Sequence, residues 1–276
     1  STPSNCSPAG CADELSRSLV VNASNHHLSE LLSEAAHTAW RAYRHAIGTM
    51  SVESRRSTVG PGADGTETFL LDVRVEAPVL DLLHRRGVNV LSEEAGWIDR
   101  GSAVTIVIDP IDGTANAAAG VPISAFAGAA VIDDEVVASR VLWFDTGREW
   151  AATRGLTSPQ RVSGRTHLDG SSVSLLRPRP ETADSWYEIA QRAGRVRVLG
   201  SSVLEAALVA DDAIDLFCDP GGDVHRIVDI AATKLIVEQA GGVVCDAAGR
   251  PFHFEPNLTL RWSGIFAASQ SLADDV

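Results

Sequence analysis

Apolar positions in the first third of the chain follow a helical period. One stripe of an amphipathic helix ending at Gly48 is formed by Leu28, Leu31, Leu32, Ala35, Ala36, Ala39, Trp40, Tyr43 and Ile47. A second helix is predicted over residues 68–86, with Pro78 near its middle. Between them, residues 48–66 are rich in Gly, Pro and Ser and keep no sustained period, which predicts a loop whose length suggests function.

The rest of the chain carries shorter apolar runs that are typical of strands. Strands are predicted at 88–91, 103–108, 123–132, 136–144 and 150–153, the third and fourth forming a hairpin around Asp133 and Asp134. Further strands at 173–176, 197–199, 214–218, 242–245 and 264–268 alternate with helices at 182–193, 203–210 and 226–240. Antiparallel strands followed by alternating helices and strands predict an α+β or layered α/β/α architecture.

Three segments are predicted from these patterns. Residues 1–24 are a flexible N-terminal extension, residues 25–155 a first α+β subdomain and residues 156–276 a second α/β subdomain on the substrate side.

Charge and composition exclude several classes of protein. The net charge is −13 and no basic patch is present, so binding to a nucleic-acid polymer is not expected. No apolar run reaches the roughly 18 residues that span a membrane, and no signal peptide is apparent. The four cysteines have no zinc spacing and are expected to be reduced. The sequence therefore predicts a cytoplasmic protein.

Acidic residues stand at the ends of apolar elements or inside them. Asp109 and Asp112 follow an apolar run in "VIDPIDGTAN", Glu93 lies in "LSEEAG", Asp229 begins a predicted helix, and Asp72 lies within "FLLDVRVE". Taken singly, each is as easily a helix cap or a solvated loop residue. Together, buried carboxylates are costly without a cation, and oxygen ligands without His or Cys favour Mg²⁺ or Mn²⁺.

The residues after Asp112 suggest phosphate chemistry. An EF-hand is excluded because the loop from Asp109 has Ile111 at its third position, and no GxxxxGK[ST] phosphate loop is present. Gly113 and Thr114 would open a helical turn whose free N–H groups favour an anion. Two metal ions beside a phosphate can activate water and stabilise the leaving oxygen, which indicates phosphomonoester hydrolysis without a covalent intermediate.

Three motifs together resemble the inositol monophosphatase family of Mg²⁺-dependent, lithium-sensitive phosphatases. They read "LSEEAG", "DPIDGTAN" and "VDIAATKLIVEQAGG", and the likeness runs from about residue 27 to residue 270. The resemblance implies the layered αβαβα sandwich of the inositol monophosphatase/fructose-1,6-bisphosphatase fold. Val228 before Asp229, where many members have Trp, resembles the archaeal-type members that hydrolyse both inositol monophosphate and fructose 1,6-bisphosphate.

By this resemblance, the metal ligands form overlapping sets for two to three Mg²⁺ ions, with Mn²⁺ as an alternative. Glu93, Asp109 and the Ile111 carbonyl would bind the first ion, Asp109, Asp112 and Asp229 the second, and Glu93 with Asp72 a third, weaker ion. Phosphate would be bound at Asp112, Gly113 and Thr114. Thr114 and Glu93 would position the attacking water, while Asp64 and Thr66 in the long loop would contribute to the third-metal site and to the nucleophile.

The substrate side is also assigned by resemblance. Gly200, Ser201 and Ser202 would meet the sugar, with Asp219 and Arg226 nearby, although "CDPGGDVHR" differs in length from the usual segment. Arg177 and Arg179 suit either a second phosphate or a solvated loop. His225 is interpreted as a surface histidine rather than a substrate contact.

These observations predict a metal-dependent phosphoric monoester hydrolase for a small sugar or inositol phosphate, fructose 1,6-bisphosphate or inositol monophosphate, acting as a homodimer by family resemblance. One alternative is a 3′-phosphoadenosine 5′-phosphate phosphatase, which would need a surface to stack adenine. The other is a catalytically inactive regulatory relative, which predicts lost ligands.

Overall fold

A computed structural model describes the backbone of residues 8–276 and the side chains from residue 25 onward. The first helix, α1, spans Pro8–Thr49 and so begins well before the apolar stripe that predicts it. The backbone of residues 8–24, which we expected in a flexible extension, continues this helix. Residues 1–7 lie outside the described part, and the flexibility of the segment stays a prediction.

Seven further helices and thirteen strands follow α1 in the described part of the chain. The helices are α2 (Val52–Arg56), α3 (Leu70–Arg86), α4 (Thr114–Ala119), α5 (Ala183–Arg192), α6 (Ser202–Ala210), α7 (Ile227–Gln239) and α8 (Gln270–Asp274). The strands are β1 (Thr58–Pro61), β2 (Glu67–Phe69), β3 (Asn89–Ser92), β4 (Gly96–Ile98), β5 (Thr105–Asp112), β6 (Ala125–Ile132), β7 (Glu135–Trp143), β8 (Glu149–Thr153), β9 (Ser172–Leu175), β10 (Arg195–Arg197), β11 (Leu216–Cys218), β12 (Val243–Asp246) and β13 (Gly264–Ala267).

The first large sheet has six strands in the order β4-β3-β5-β6-β7-β8, and only β3 and β5 pair in parallel. The predicted hairpin is present as β6 and β7. Its two turn residues, Asp133 and Asp134, have positive φ angles of 49° and 61°, as a tight turn between twisted strands requires. Helices α1 and α3 bury their apolar stripes against one face of this sheet.

The second large sheet has five strands in the order β10-β9-β11-β13-β12. Helices α6 and α7 lie between the two sheets, in a core that includes Ala127 of the first sheet and Phe217 of the second. Ile189 of α5 and Leu272 of α8 pack with strand residues of the second sheet in a separate cluster. The order of layers is therefore α, β, α, β, α, and the predicted layered sandwich is confirmed.

The structure also differs from the sequence-based elements in places. Residues 48–66, predicted as a loop, contain the single helical turn α2 and strand β1, which pairs with β2. The strand expected at 197–199 is β10, two residues earlier. His225 is fully buried between Phe217 and Phe266, so its interpretation as a surface residue is wrong. Its backbone pairs with Trp262 in a β-bridge that draws the ring inward.

The predicted division at residues 155 and 156 separates the strands of the two large sheets, which fall within residues 89–153 and 172–267. The assignment of two subdomains stays a prediction. Within the described residues, every helix is too short or too polar to cross a membrane.

Candidate metal and phosphate site

A bulge at the end of β5 brings Asp109 and Asp112 to the same edge of the sheet. Residues three apart point to opposite faces of a regular strand. Here Asp109 is paired with Ala127 and Asp112 with Ala125, so three steps along β5 match two steps along β6. The extra residue restores a common direction for the two carboxylates. The bulge at Pro110 and Ile111 thus brings the two aspartates to one place at the edge of the sheet.

Asp112 is held from behind by the start of α6. Its Oδ2 accepts hydrogen bonds from the Ser201 hydroxyl and from the backbone N–H of Val203, the latter at 3.0 Å. The Ser201 hydroxyl also caps α6 by accepting from the Leu204 N–H at 3.4 Å. One buried serine therefore connects Asp112 to the helix between the sheets.

Asp229 completes a three-carboxylate cluster from the first turn of α7. One oxygen from each of Asp109, Asp112 and Asp229 lies within 4.8 Å of the other two. All three residues are buried. Asp109 accepts from the Ile111 N–H at 3.0 Å through Oδ1, while its buried Oδ2 has no hydrogen-bond partner among the described residues.

Burial changes the protonation of this cluster. Desolvation, reinforced by the neighbouring carboxylates, raises the pKa of Asp109 well above its usual range and that of Asp112 to about 7. Burial also raises the pKa of Glu93, although the Arg226 guanidinium opposes the shift. Burial opposes ionisation at Asp229 as well, but Arg226 outweighs it and lowers the pKa there. Closely placed buried acids with raised pKa values are typical of functional sites.

Gly113 and Thr114 continue directly from the cluster. Gly113 has a φ of 80°, and a Cβ there would lie 2.7 Å from the Ile123 carbonyl oxygen. Glycine is thus required by both backbone conformation and space. The Thr114 hydroxyl lies 2.7 Å from Asp72 Oδ1 and 2.8 Å from the Ile111 carbonyl oxygen, and its single proton can serve only one of them.

Asp72 is anchored at the start of α3, where its Oδ2 accepts from the Phe69 N–H at 2.9 Å. Burial raises the pKa of Asp72 to about 7, although the hydrogen bonds from Thr114 and Phe69 act to lower it. Asp72 therefore lies behind Thr114 and is joined to it directly.

The tip of the loop between α2 and α3 reaches the same site. Asp64 Oδ1 accepts from the N–H and the hydroxyl of Thr66 at 2.8 and 2.7 Å, while its Oδ2 accepts from Arg226 at 2.7 Å. Arg226 also donates to Glu93 and to Asp229. Arg261 lies 3.7 Å from Asp64 Oδ2. The structure thus brings Asp64, predicted from the loop, beside Glu93, predicted from a distant turn.

A cavity of about 400 Å³ opens beside the carboxylate cluster. Asp112 and Ser202 lie at its boundary with the metal site, and Leu175, Leu176 and Val198 contribute apolar surface. Arg177 and Arg179 line the cavity, and Arg179 also lines the metal site. Neither guanidinium has a hydrogen-bond or carboxylate partner among residues 25–276.

The predicted substrate residues divide into two groups. Gly200 and Ser202 line the cavity, and Arg226 lines the metal site itself. Ser201 is 1% exposed and points to Asp112, away from the cavity. Asp219 is 2% exposed, and its oxygens accept from the N–H groups of Gly222 and Val224 at 2.7 and 2.9 Å. A substrate contact by Ser201 or Asp219 stays a prediction, and the described geometry gives both side chains structural partners instead.

Sequence reasoning missed two residues that shape the site. Arg261 reaches Asp64 from an irregular segment before β13 and gave no motif signal. Asn116, inside "DGTAN", donates from its side chain to the carbonyl oxygens of Leu199 and Gly200 at 2.8 and 3.2 Å. It thereby fixes the cavity wall to the phosphate turn. Its position in the motif was the only sequence signal for a role in the site. The sequence could not show its partner, because Leu199 lies 83 residues away.

The donor set fits a divalent cation that prefers oxygen ligands. Asp109 Oδ2 is buried without a hydrogen-bond partner, Asp109 lies in a cluster with two further carboxylates, and among the described residues no His or Cys belongs to this cluster. Mg²⁺ and Mn²⁺ favour such ligands, whereas zinc favours nitrogen and sulfur.

Comparisons with known proteins agree with this geometry. A model of the inositol monophosphatase family matches residues 26–276. A fructose-1,6-bisphosphatase/inositol-1-monophosphatase of Thermococcus kodakarensis is 33% identical over 79% of this chain and 84% of its own length. A protein of the same description from Methanothermobacter thermautotrophicus is 33% identical over 86% of this chain and 90% of its own.

Solved structures share the fold as well. A crystal structure described as an inositol monophosphatase–fructose 1,6-bisphosphatase superposes with a TM-score of 0.78, at 27% identity over 89% of this chain and 96% of that one. A Pyrococcus horikoshii protein described by its similarity to inositol-1-monophosphatase gives a TM-score of 0.75, at 26% identity over 90% and 97%.

Proposed function

This chain belongs to the inositol monophosphatase family, and we propose that it is a Mg²⁺-dependent phosphomonoesterase for a sugar or inositol phosphate. The resemblance drawn from three motifs and the assignment to the phosphoric monoester hydrolases are confirmed by the family match and by the phosphatase relatives. The observation that carries the proposal is the buried cluster of Asp109, Asp112 and Asp229, with its unpaired oxygen, directly before Gly113 and Thr114.

The number and identity of the ions are part of the proposal. Asp109, Asp112 and Asp229 would hold one Mg²⁺, and Glu93, Asp109 and the Ile111 carbonyl another. Mn²⁺ would fit the same oxygen ligands. Bound there, the metal would act as a Lewis acid, activating water for in-line attack and neutralising charge on the leaving oxygen.

The protein's own groups would hold and move the protons. Asp72 lies 2.7 Å from the Thr114 hydroxyl and can accept its hydrogen bond, which leaves the threonine oxygen free to accept from a water on the phosphate side. Glu93 would orient the same water from the turn after β3. The Gly113 turn would let backbone approach the phosphoryl oxygens. Asp64 and Thr66, at the loop tip, would close the site around the reacting groups.

The cavity supports a sugar or inositol substrate. Its walls combine aliphatic side chains, the Gly200 backbone and the arginines Arg177 and Arg179, and no aromatic side chain among residues 25–276 lines it. A hexose bisphosphate would place its second phosphate within reach of the arginines, since a guanidinium binds phosphate through paired hydrogen bonds. Adenine recognition usually uses an aromatic platform. We therefore prefer fructose 1,6-bisphosphate and inositol monophosphate to 3′-phosphoadenosine 5′-phosphate.

An inactive relative is the weaker alternative because every acidic position named from the sequence is retained and the cluster is assembled. A homodimer and a cytoplasmic location stay predictions.

The test is phosphate release from a panel of three esters. Fructose 1,6-bisphosphate, inositol 1-phosphate and 3′-phosphoadenosine 5′-phosphate would be incubated with the protein in Mg²⁺ and in EDTA. We expect Mg²⁺-dependent release from one or both of the first two. Absence of metal-dependent release from all three would refute the proposal, and preference for the nucleotide would refute the substrate assignment.

A further inference from the structure

Arg226 occupies an unusual position for a residue predicted to meet a sugar. Its guanidinium is only 14% exposed and touches carboxylates from three separate elements. Nη2 lies 3.0 Å from Asp229 Oδ1 in α7, and Nη1 lies 2.7 Å from Asp64 Oδ2 in the loop. Nη1 also donates to Glu93, in the turn after β3. One side chain therefore bridges three parts of the catalytic region.

The shape of arginine suits this bridge. Arg226 Nε donates to Asp229 Oδ2 at 3.1 Å, and Nη2 donates to Asp229 Oδ1 at 3.0 Å. The backbone N–H of Arg226 also donates to Asp229 Oδ2, at 2.7 Å. This paired contact fixes the guanidinium plane, so that Nη1 points at Asp64 and Glu93. A lysine would supply the same charge but not the paired contact that fixes this plane.

Few contacts tie the tip of the α2–α3 loop (residues 57–69) to the site. The Ala63 N–H donates to the Glu94 carbonyl oxygen at 3.1 Å. The Thr68 hydroxyl donates to Glu94 Oε2 nearer the end of the loop. The contact with the carboxylate region is made by Asp64, whose side chain is fully buried and whose Oδ2 faces Arg226 and, at 3.7 Å, Arg261. The loop tip thus depends on a buried carboxylate whose closest cation is Arg226.

We infer that Arg226 is a positioning residue that serves as the resident cation between Asp64, Glu93 and Asp229. The family resemblance places part of a third, weaker metal site at Asp64 and Glu93, where this chain already supplies a permanent positive charge. The loop would therefore dock without a third ion, and the chain would bind two divalent ions. This inference rests on the proposed function, because it concerns the same metal site.

Hydrogen exchange of the loop, followed by mass spectrometry over peptides covering residues 58–69, tests the docking role. In the wild type, exchange should be slow in metal-stripped protein and nearly unchanged as Mg²⁺ is added. In Arg226→Gln, exchange without metal should be about tenfold faster or more, since loss of the ion pairs frees the loop to open locally. Added Mg²⁺ should slow it again. Arg192→Gln, which removes ion pairs to Asp169 and Asp275 away from the site, is the matched control and should leave the loop unchanged.

Mn²⁺ binding to equilibrium, counted per chain by dialysis, tests the cation role. We expect two ions in the wild type and a third, weaker ion in Arg226→Gln. Arg226→Lys keeps the charge and should return the count to two. Asp64→Asn removes the negative charge of the loop partner and leaves Arg226, Glu93 and Asp229 in place, so it should speed loop exchange while two ions still bind. This variant keeps the inference testable if Arg226→Gln folds poorly.

Loop exchange at the wild-type rate in both Arg226→Gln and Asp64→Asn would overturn the docking role. Three ions in the wild type, or in Arg226→Lys, would overturn the cation role. These failures are distinct from failure of the proposed function, in which the wild type would bind no divalent ion and release no phosphate. If two ions bind and phosphate is released, but loop exchange is the same with and without Arg226, the docking role is refuted and the proposed function stands.

Discussion

The metal cluster and the adjoining cavity are built in different ways. Asp109, Asp112 and Thr114 come from a single stretch of ten residues, where the bulge in β5 and the Gly113 turn fix their geometry. The cavity instead takes its walls from segments around Arg177, Gly200 and Val224, which are far apart in the chain. Two of the three cluster carboxylates thus come from one local motif and α7 adds Asp229, while every wall of the cavity depends on how distant segments meet.

This contrast predicts that substitutions at the cluster will lower kcat for every substrate. Substitutions in the cavity should instead change KM for one substrate more than for another.

Asp112→Asn should lower kcat by about a thousandfold or more for all accepted esters, because the neutral amide weakens metal binding where charge develops in the transition state. The circular dichroism spectrum should be unchanged. Asp81→Asn alters an aspartate paired with Arg85 on the exposed face of α3 and is the matched control. Activity near that of the wild type would remove Asp112 from the metal site.

Thr114→Val keeps the shape of the side chain and removes the hydroxyl beside Asp72. Positioned proton transfer typically contributes a factor of about 10² to 10⁴, so we expect kcat to fall about a hundredfold with KM little changed. Thr114→Ser should retain most of the activity because the hydroxyl remains. An equal loss in the two variants would indicate a packing role for Thr114.

Metal binding should strengthen with pH. Carboxylates must lose their protons to bind metal, and burial raises the pKa of Asp112 and Asp72 to about 7. Between pH 8 and pH 6 we expect the apparent Mg²⁺ affinity to fall about tenfold. Calorimetric titration at several pH values measures this. An affinity that is constant over this range would contradict the assignment of these acids.

The same shifts act on stability. An acid whose pKa is higher in the folded state stabilises that state below its ordinary pKa, and the contribution is lost as pH rises through about 7. Metal-free protein should therefore lose thermal stability from pH 5 to pH 8. The difference in Tm between metal-loaded and metal-free protein should widen over that range, and a narrowing difference would contradict the account.

Arg179→Ala tests the cavity. Removing one partly exposed cation from a phosphate contact should raise KM about tenfold for fructose 1,6-bisphosphate. KM for inositol 1-phosphate, which has no second phosphate, should change little. Arg195→Ala, in the exposed edge strand β10, is a control of the same charge change. Equal effects on both substrates would show that Arg179 acts on the scissile phosphate or on the fold.

Ser201→Ala should have the smallest effect. The serine lies behind Asp112, so its loss should lower kcat a few-fold through a less well-held ligand, at roughly the strength of one hydrogen bond. KM should not change. A rise in KM without a change in kcat would restore Ser201 to the substrate site.

Asp109 and Asp112 of the proposed metal site could be predicted from one local stretch, whereas the grouping of Glu93 and Asp229 with them came from the family resemblance. The signal for Asp109 and Asp112 is their place directly after an apolar run. The periods of the apolar positions predicted the layered fold. His225 was not predictable, since its burial arises from a bridge to Trp262, 37 positions later. The family resemblance places Arg226 near the substrate. Its ion pairs could not be predicted from the sequence, because the three carboxylate partners are brought together only by tertiary packing.

Our proposal is that Asp109, Asp112 and Asp229 form a metal site that the phosphatase reaction requires. It is tested most directly by stripping the protein of metal with EDTA, removing the chelator and measuring phosphate release from fructose 1,6-bisphosphate or inositol 1-phosphate as Mg²⁺ is returned. We expect no phosphate release before Mg²⁺ is returned. In the wild type, release should recover and saturate with Mg²⁺, whereas in Asp109→Asn it should not recover. Full release from the stripped protein, or normal recovery in the variant, would contradict it.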